Sequence, residues 1–119
     1  MTSPFERFAR SSLELSLMRR GFSVLQEPSS FFSSEARPDL IAKSQENDTV
    51  FGVEIKAYNH KPLNFSRILK TRHTHFQSRE IPVYTVVVKT SPKQIYISKE
   101  LADILLTHDA HYSVVKDAV

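Results

Sequence analysis

The first twenty residues carry apolar side chains at the spacing of one helical face, which predicts a helix over 4–20. Segment 3–6 reads Ser-Pro-Phe-Glu, a capped start with proline in the first turn and glutamate three residues after the cap. Arg19 and Arg20 suit the negative end of such a helix, and Gly21 suits the left-handed residue that closes it. The apolar stripe comprises Phe5, Phe8, Ala9, Leu13, Leu17 and Met18.

Short runs rich in β-branched and aromatic residues come next and predict five strands. They cover 22–26, 40–43, 49–57, 83–88 and 94–98. The polar segment 44–48 has the composition of a turn that joins the second and third strands as an antiparallel pair. The fourth run is apolar on both faces, which indicates a central strand. Residues 112–115 are compatible with one further strand at the edge.

Two more helices are predicted, one between the third and fourth strands and one after the fifth. The first covers 64–78, and Arg72 falls on its apolar stripe, which is unusual for a core face. On this helix His73 and His75 would point to different sides and could not share a metal ion. The other helix covers 99–107. The stripe of the first helix consists of Phe65, Ile68, Leu69 and Phe76.

The order of these elements, α-β-β-β-α-β-β-α, predicts an α/β fold. A strand, a crossover helix and a further strand imply a parallel pair. The sheet should therefore be mixed, with helices on both of its faces. With 119 residues, no internal repeat and no long linker, the chain is expected to form a single domain over 1–119.

Composition removes several classes of protein. There is no cysteine, which excludes disulfides and thiolate metal sites and predicts a reducing, cytoplasmic location. Only Gly21 and Gly52 are present, too few for a P-loop or a dinucleotide-binding fingerprint. No apolar run approaches the roughly 20 residues that cross a bilayer, so no membrane contact is expected.

The charge is unevenly distributed along the chain. The formal net charge is only +3, yet segment 56–93 contains eight lysines and arginines against Glu80 alone. A basic half behind a half that carries carboxylates suits a polyanion held across a metal site. The alternative is a solvated surface without a ligand.

Three charged residues stand where a buried sheet would prefer none: Asp39, Glu54 and Lys56. Glu54 and Lys56 share one face of a strand, while Val53 and Ile55 take the other. Phosphodiester hydrolysis needs an activated water and charge compensation on the phosphate, and a divalent ion can supply both. Magnesium prefers oxygen ligands, which the two carboxylates and the Ile55 carbonyl would provide. Lys56 could orient the attacking water or offset phosphate charge.

The spacing of these residues resembles a known family. Pro38-Asp39 followed, after 14 intervening residues, by Glu54-Ile55-Lys56 is similar to the motif of the PD-(D/E)xK nuclease superfamily. The element order is also similar, and small chains of this outline resemble archaeal Holliday junction resolvases. The resemblance implies a restriction-endonuclease-like core, with Asp39, Glu54 and Lys56 as catalytic residues. It also implies Mg²⁺ held by Asp39, Glu54 and Ile55, with Mn²⁺ as a substitute, and a homodimer.

Members of this superfamily usually carry a further glutamate on the first helix. Glu6 is the candidate because it lies near the helix start, where the resolvases keep theirs; a role in the capping box is the alternative. Glu14 points away from the apolar stripe and is interpreted as solvated. The spacing to Gly21 would favour a position near Arg10, which is not acidic, so the chain departs from the family there.

These observations predict a metal-dependent DNA endonuclease, with structure-selective cleavage as a refinement. RNA-cleaving, toxin or restriction-type nucleases use the same core and remain alternatives, as does a nucleic-acid-binding domain without catalysis. His108 and His111 lack a third metal ligand, and the histidines are interpreted mostly as surface residues. The predicted contacts to nucleic acid are Lys61, Arg67, Lys70, Arg72 and His73.

Overall fold

The protein is described by a computed structural model covering residues 4–26, 38–58, 65–90, 93–105 and 112–115. Its helices are α1 (Pro4–Arg19), α2 (Phe65–Ile68) and α3 (Lys99–Leu105). Its strands are β1 (Phe22–Gln26), β2 (Leu40–Ser44), β3 (Val50–Tyr58), β4 (Arg72–Phe76), β5 (Arg79–Thr90), β6 (Lys93–Ser98) and β7 (Tyr112–Val115). Among the described helices, none is long and apolar enough to span a membrane.

The strands form one mixed sheet in the order β1-β2-β3-β5-β6-β7, with β4 paired to β5 outside this path. The pairs β3–β5 and β6–β7 are parallel, and the remaining pairs are antiparallel. The prediction of an α/β fold with a mixed sheet and a parallel pair across the crossover is confirmed. Val83 pairs with Gly52 on β3 and with Arg72 on β4, so β5 lies between these two strands.

The main hydrophobic core lies on one face of the sheet. Residues Ala9, Leu13 and Leu17 of α1 and Leu101 and Leu105 of α3 belong to it. The two longer helices therefore cover the same face, which differs from the expected placement on both faces. Alternate residues of β3 point into this core and the intervening ones point to the opposite face, because side chains alternate along a strand. The core-facing residues of β3 are Phe51, Val53 and Ile55, and those on the opposite face include Gly52, Glu54 and Lys56.

Helix α1 forms and ends as its sequence predicts. Glu6 lies in the first turn and Arg19 in the last, each suited to the helix dipole. Gly21 has a φ of 82° and donates a hydrogen bond to the Met18 carbonyl at 3.1 Å, closing the helix in the left-handed conformation. The predicted strand over 22–26 begins directly afterwards and is confirmed.

The predicted helix over 64–78 is wrong. Only Phe65–Ile68 is helical, and Arg72–Phe76 forms strand β4, which returns to β5 through Gln77 and Ser78. Both turn residues have positive φ, 53° and 63°, as two-residue hairpin turns require. Phe76 then lies on the same face as Ile81 and contributes to a small second core with Ile41. The observed order is therefore α-β-β-β-α-β-β-β-α-β.

Gly52 lets the chain before β2 cross closely over β3. A Cβ atom at this position would lie 2.9 Å from Pro38 Cβ and 3.3 Å from Val83 Cγ2. Such distances require a shift of backbone or of a rigid proline ring. Gly52 therefore fixes Pro38, and with it the neighbouring Asp39, against the middle of the sheet.

The substitution Gly52→Ala is expected to destabilise the protein by about 1–3 kcal/mol, the usual cost of overpacking. Urea unfolding of the variant measures this loss. In a Pro38→Gly background the same substitution should cost clearly less, because the atoms it meets have been removed. Equal costs in both backgrounds would show that the Pro38 contact is not the cause.

Hydrogen bonds to Glu100 connect α3 to β5 and to the segment before β4. The Tyr84 hydroxyl donates to Glu100 Oε1 at 3.1 Å, and the Thr71 hydroxyl donates to Glu100 Oε2 at 3.1 Å. Burial, the nearby Glu100 charge and this hydrogen bond together raise the pKa of Tyr84 to about 12. The neutral phenol is thus the form that the folded protein stabilises.

This shift of the Tyr84 pKa makes stability depend on pH at the alkaline end. The folded-state pKa is raised above the unfolded value near 10, so the contribution is complete below pH 10 and is lost as the pH rises toward 12. Tyr84→Phe should be less stable than the wild type at pH 8, and the difference should shrink above pH 10. Unfolding free energies across this range measure it. Val88→Ala, a core substitution that removes no ionisable group, serves as the control and should show no such convergence.

Candidate functional site

Asp39, directly before β2, lies beside the segment Val53–Ile55 of the adjacent strand β3. The Asp39 amide donates to the Val53 carbonyl at 2.9 Å, and Asp39 Oδ2 accepts a hydrogen bond from the Ile55 amide at 2.7 Å. These two bonds bracket Glu54, whose side chain projects from the face opposite the main core. The Asp39 carboxylate occupies the place where the ladder would otherwise supply a backbone carbonyl, which fixes its orientation.

The Ile55 carbonyl and Lys56 continue this arrangement along β3. In a strand the N–H and C=O of one residue point to the same side. The Ile55 carbonyl is therefore directed toward the Asp39 side of β3. Lys56 is exposed and shares its face with Glu54. The three residues predicted as metal ligands thus lie in one short stretch of two adjacent strands.

Arg10 of α1 approaches the Asp39 carboxylate. Its Nη2 atom lies 3.9 Å from Asp39 Oδ1, and the side chains are 16% and 35% exposed. The distance is at the outer limit of an ion pair. Arg10 is also near the position at which the family spacing favours an acidic residue. Near the position where the family would carry an acidic residue, this chain therefore has Arg10, which places a cation and not a third carboxylate near Asp39.

Arg72 of β4 contacts the Glu54 carboxylate. The guanidinium meets Glu54 Oε2 as an ion pair, with the arginine side chain 53% exposed and the glutamate 24% exposed. Because β5 separates β3 from β4, the Arg72 side chain crosses β5 to reach Glu54. Oε2 itself is shielded from solvent, and the Arg72 guanidinium is the cation that contacts it.

A divalent ion fits the donors that these residues offer. Magnesium accepts one or two carboxylates together with a carbonyl and waters, so Asp39, Glu54 and Ile55 supply suitable atoms. Glu54 Oε2 is shielded from solvent and contacts the Arg72 guanidinium, so a metal ion could take the place of that cation. Within the described residues there is no group of three His, Cys, Asp or Glu side chains that could hold an ion.

Glu6 lies on α1, one helical turn before Arg10, and is partly buried. Residues four apart share a helix face, so Glu6 and Arg10 point toward the same side of α1. Glu14 stands one turn further on and is also partly buried, in contrast to the solvated residue that the sequence suggested. Whether either glutamate takes part in catalysis remains a prediction.

The predicted contacts to nucleic acid are only partly brought together. Arg67 of α2, Lys70 and His73 of β4 are exposed, whereas Arg72 is engaged with Glu54. His73 and His75 share one face of β4, which corrects the expectation from a helix that they point to different sides. Lys61, His108 and His111 lie outside the described residues.

A cleft of about 290 Å³ between two hairpin turns contains cations that the sequence did not single out. Lys43 of β2 and Arg79 of β5 line it, with Phe76 and Val50 as its apolar part. Register places Lys43 on the face that carries Glu54. No local pattern indicates this cleft, because Arg79 lies beside it only once β4 and β5 have formed a hairpin.

Comparison of the chain with protein-family models, curated proteins and solved structures found no match. A functional assignment therefore depends on the residues of the site and their geometry.

Proposed function

We propose that this protein is a metal-dependent DNA endonuclease with a restriction-endonuclease-like core. One observation carries the proposal: Ile55 N–H holds the Asp39 carboxylate against β3, one residue along the strand from Glu54. Lys56 follows on the face of Glu54 and is exposed to an incoming substrate. The similarity of these residues to the PD-(D/E)xK motif supports the same activity, including structure-selective cleavage of the kind that Holliday junction resolvases perform.

The roles of the residues follow from their chemistry. Asp39, Glu54 and the Ile55 carbonyl would hold Mg²⁺ or Mn²⁺, which supplies an activated water and charge compensation on the phosphate. The hydrogen bond from Ile55 keeps the Asp39 carboxylate in a fixed orientation. Lys56 orients the attacking water or balances charge that develops on the phosphate. Each role depends on a residue located on β3 or immediately before β2.

The proposed substrate is a polyanion, and a compact domain of this size suits recognition of backbone shape more than of a long sequence. Exposed Arg67 and Lys70 follow β3 in the chain and supply positive charge for phosphate contacts, and exposed His73 offers a further polar contact. Lys43 and Arg79 add two cations on another part of the surface. A homodimer, which would supply two sites for paired cuts, is part of the proposal.

The test is cleavage of four-way junction, flap and linear duplex DNA in Mg²⁺, with EDTA as the control. Cleavage of at least one substrate is expected in Mg²⁺ or Mn²⁺ and none in EDTA. Digestion of RNA in parallel separates the DNA endonuclease from an RNA-cleaving or toxin-type enzyme, which uses the same chemistry. Cleavage of RNA alone would reassign the substrate but retain the site.

A second candidate function is a nucleic-acid-binding domain without catalysis. The two arginine contacts favour it, because Arg10 approaches Asp39 and Arg72 pairs with Glu54. Each carboxylate then serves to hold a cationic side chain in place. This candidate predicts salt-dependent binding of DNA in EDTA together with no cleavage of any substrate in Mg²⁺ or Mn²⁺.

A further inference from the structure

We infer that Arg72 is an internal counter-ion of Glu54 that nucleic acid displaces, so that a polyanion and a divalent cation bind with positive coupling. In the free protein the Arg72 guanidinium forms an ion pair with the Glu54 carboxylate. A substrate phosphate would draw it away and leave Glu54 open to a metal ion. The inference rests on the proposed function: the substrate of the site would itself regulate the binding of the metal ion at Glu54.

The two partners of this ion pair differ in accessibility. Arg72 is 53% exposed and Glu54 is 24% exposed, with Oε2 shielded from solvent. A phosphate group can therefore reach Arg72 without entering the site. Arginine also has the fork geometry that binds phosphate through two hydrogen bonds, so the exchange of partner is favourable for the guanidinium.

Glu54 requires a replacement once Arg72 has left. A charged carboxylate oxygen that is shielded from water is costly without a compensating cation. The neighbouring residues on its face of β5 cannot supply one, because Val83, Thr85 and Val87 are buried and uncharged. A small cation coordinated by Glu54 restores the balance of charge.

Register explains why Arg72 can change partner without unfolding β4. Its backbone is held by pairing of β4 with β5, where Arg72 lies opposite Val83. Only the flexible side chain spans β5 to Glu54. Rotation of that side chain toward solvent breaks the ion pair and leaves the sheet intact. Exchange of the Arg72 side chain should therefore be fast and reversible.

Coupling of this kind is reciprocal and can be measured without catalysis. Bound DNA should raise the affinity for Mn²⁺ by the same factor by which Mn²⁺ raises the affinity for DNA. Mn²⁺ binding is measured by calorimetry with wild type and Arg72→Gln, alone and with a saturating duplex that carries non-cleavable phosphorothioate linkages. Arg19→Gln is the matched control, since Arg19 is another exposed arginine, at the end of α1 and outside the proposed site.

Without DNA, Arg72→Gln is expected to bind Mn²⁺ about fivefold more tightly than wild type, the effect of removing a partly exposed ion pair. Addition of DNA should tighten Mn²⁺ binding about fivefold in wild type and in Arg19→Gln, and much less in Arg72→Gln. Arg72→Lys keeps the charge and should behave nearly as wild type. Thermal unfolding of each variant checks that the fold is retained.

Equal Mn²⁺ affinity of wild type and Arg72→Gln in the absence of DNA would overturn the inference. If Glu54→Gln then still abolishes both Mn²⁺ binding and cleavage, the proposed nuclease function stands and only the role of Arg72 is wrong. If neither wild type nor Arg72→Gln binds Mn²⁺, with or without DNA, the cation site at Glu54 does not exist and the proposed function fails as well.

Discussion

Replacing Asp39 by asparagine or Glu54 by glutamine is expected to lower Mg²⁺-dependent cleavage of DNA by at least about a hundredfold, since loss of even an outer partner of a metal ligand costs 10- to 100-fold. An asparagine in place of Asp39 can still accept the hydrogen bond from Ile55 N–H, so the local structure should persist while the charge is lost. Initial rates on the best DNA substrate measure the effect. The proposed chemistry requires carboxylates, and both substitutions keep the side-chain size.

Matched controls separate a site effect from a general effect of charge. Asp48→Asn changes an exposed aspartate in the turn that joins the same two strands, and Glu80→Gln changes an exposed glutamate on β5. Both control proteins should cleave at the wild-type rate. Wild-type cleavage by Asp39→Asn and Glu54→Gln would show that the assigned residues do not perform the reaction, whatever the protein's activity.

Most of the sheet could be predicted because local pattern and tertiary contact agree. The strands at 22–26 and 40–43 alternate in polarity or are bounded by turn residues, and the second strand pairs with the third across the short turn 44–48. Helix α1 combines a capping segment, an apolar stripe and a closing Gly21, so several independent signals indicate one structure. The structure confirms each of these elements within one or two residues at their ends.

Strand β4 could not be predicted because its own sequence carries no strand period. Phe65, Ile68, Leu69 and Phe76 match helical spacing, whereas 72–76 contains only one apolar residue, Phe76. The choice is made by a non-local contact, the burial of Phe76 with Ile41 and Ile81. Its turn contains neither glycine nor asparagine, the residues that usually announce a hairpin with positive φ. Tertiary packing thus overrides the local pattern here.

Some residues of the site could be predicted from local sequence, and others depend on contacts between distant elements. Asp39, Glu54 and Lys56 are positioned by one antiparallel pair and by alternation along β3, which the sequence makes visible. Arg10 and Arg72 come from a helix and from a strand beyond β5, so their contacts with the carboxylates depend on the whole topology. The two candidate functions give Arg10 and Arg72 different roles. In the endonuclease Arg72 regulates access of a metal ion to Glu54, whereas in the non-catalytic domain the arginines take the place of the metal ion.

Replacing Lys56 by methionine is the second substitution expected to have a large effect. Cleavage should fall about a hundredfold, because a positioned group that assists proton transfer or balances charge in the transition state is lost. Lys56 is exposed and has no structural partner within the described residues, so the variant should unfold at nearly the wild-type temperature. The loss should appear in kcat much more than in KM, because the role is in the reaction and not in binding.

Lys56→Arg and Lys99→Met give this prediction its controls. Arginine retains the positive charge but not the compact ammonium, so partial recovery would indicate charge balance and no recovery would indicate orientation of water. Lys99 is an exposed lysine at the start of α3, and its replacement should leave cleavage unchanged. A fall in DNA affinity with unchanged kcat would instead identify Lys56 as a phosphate contact. That result would retain the endonuclease and assign Lys56 to the same phosphate-binding surface as Arg67 and Lys70.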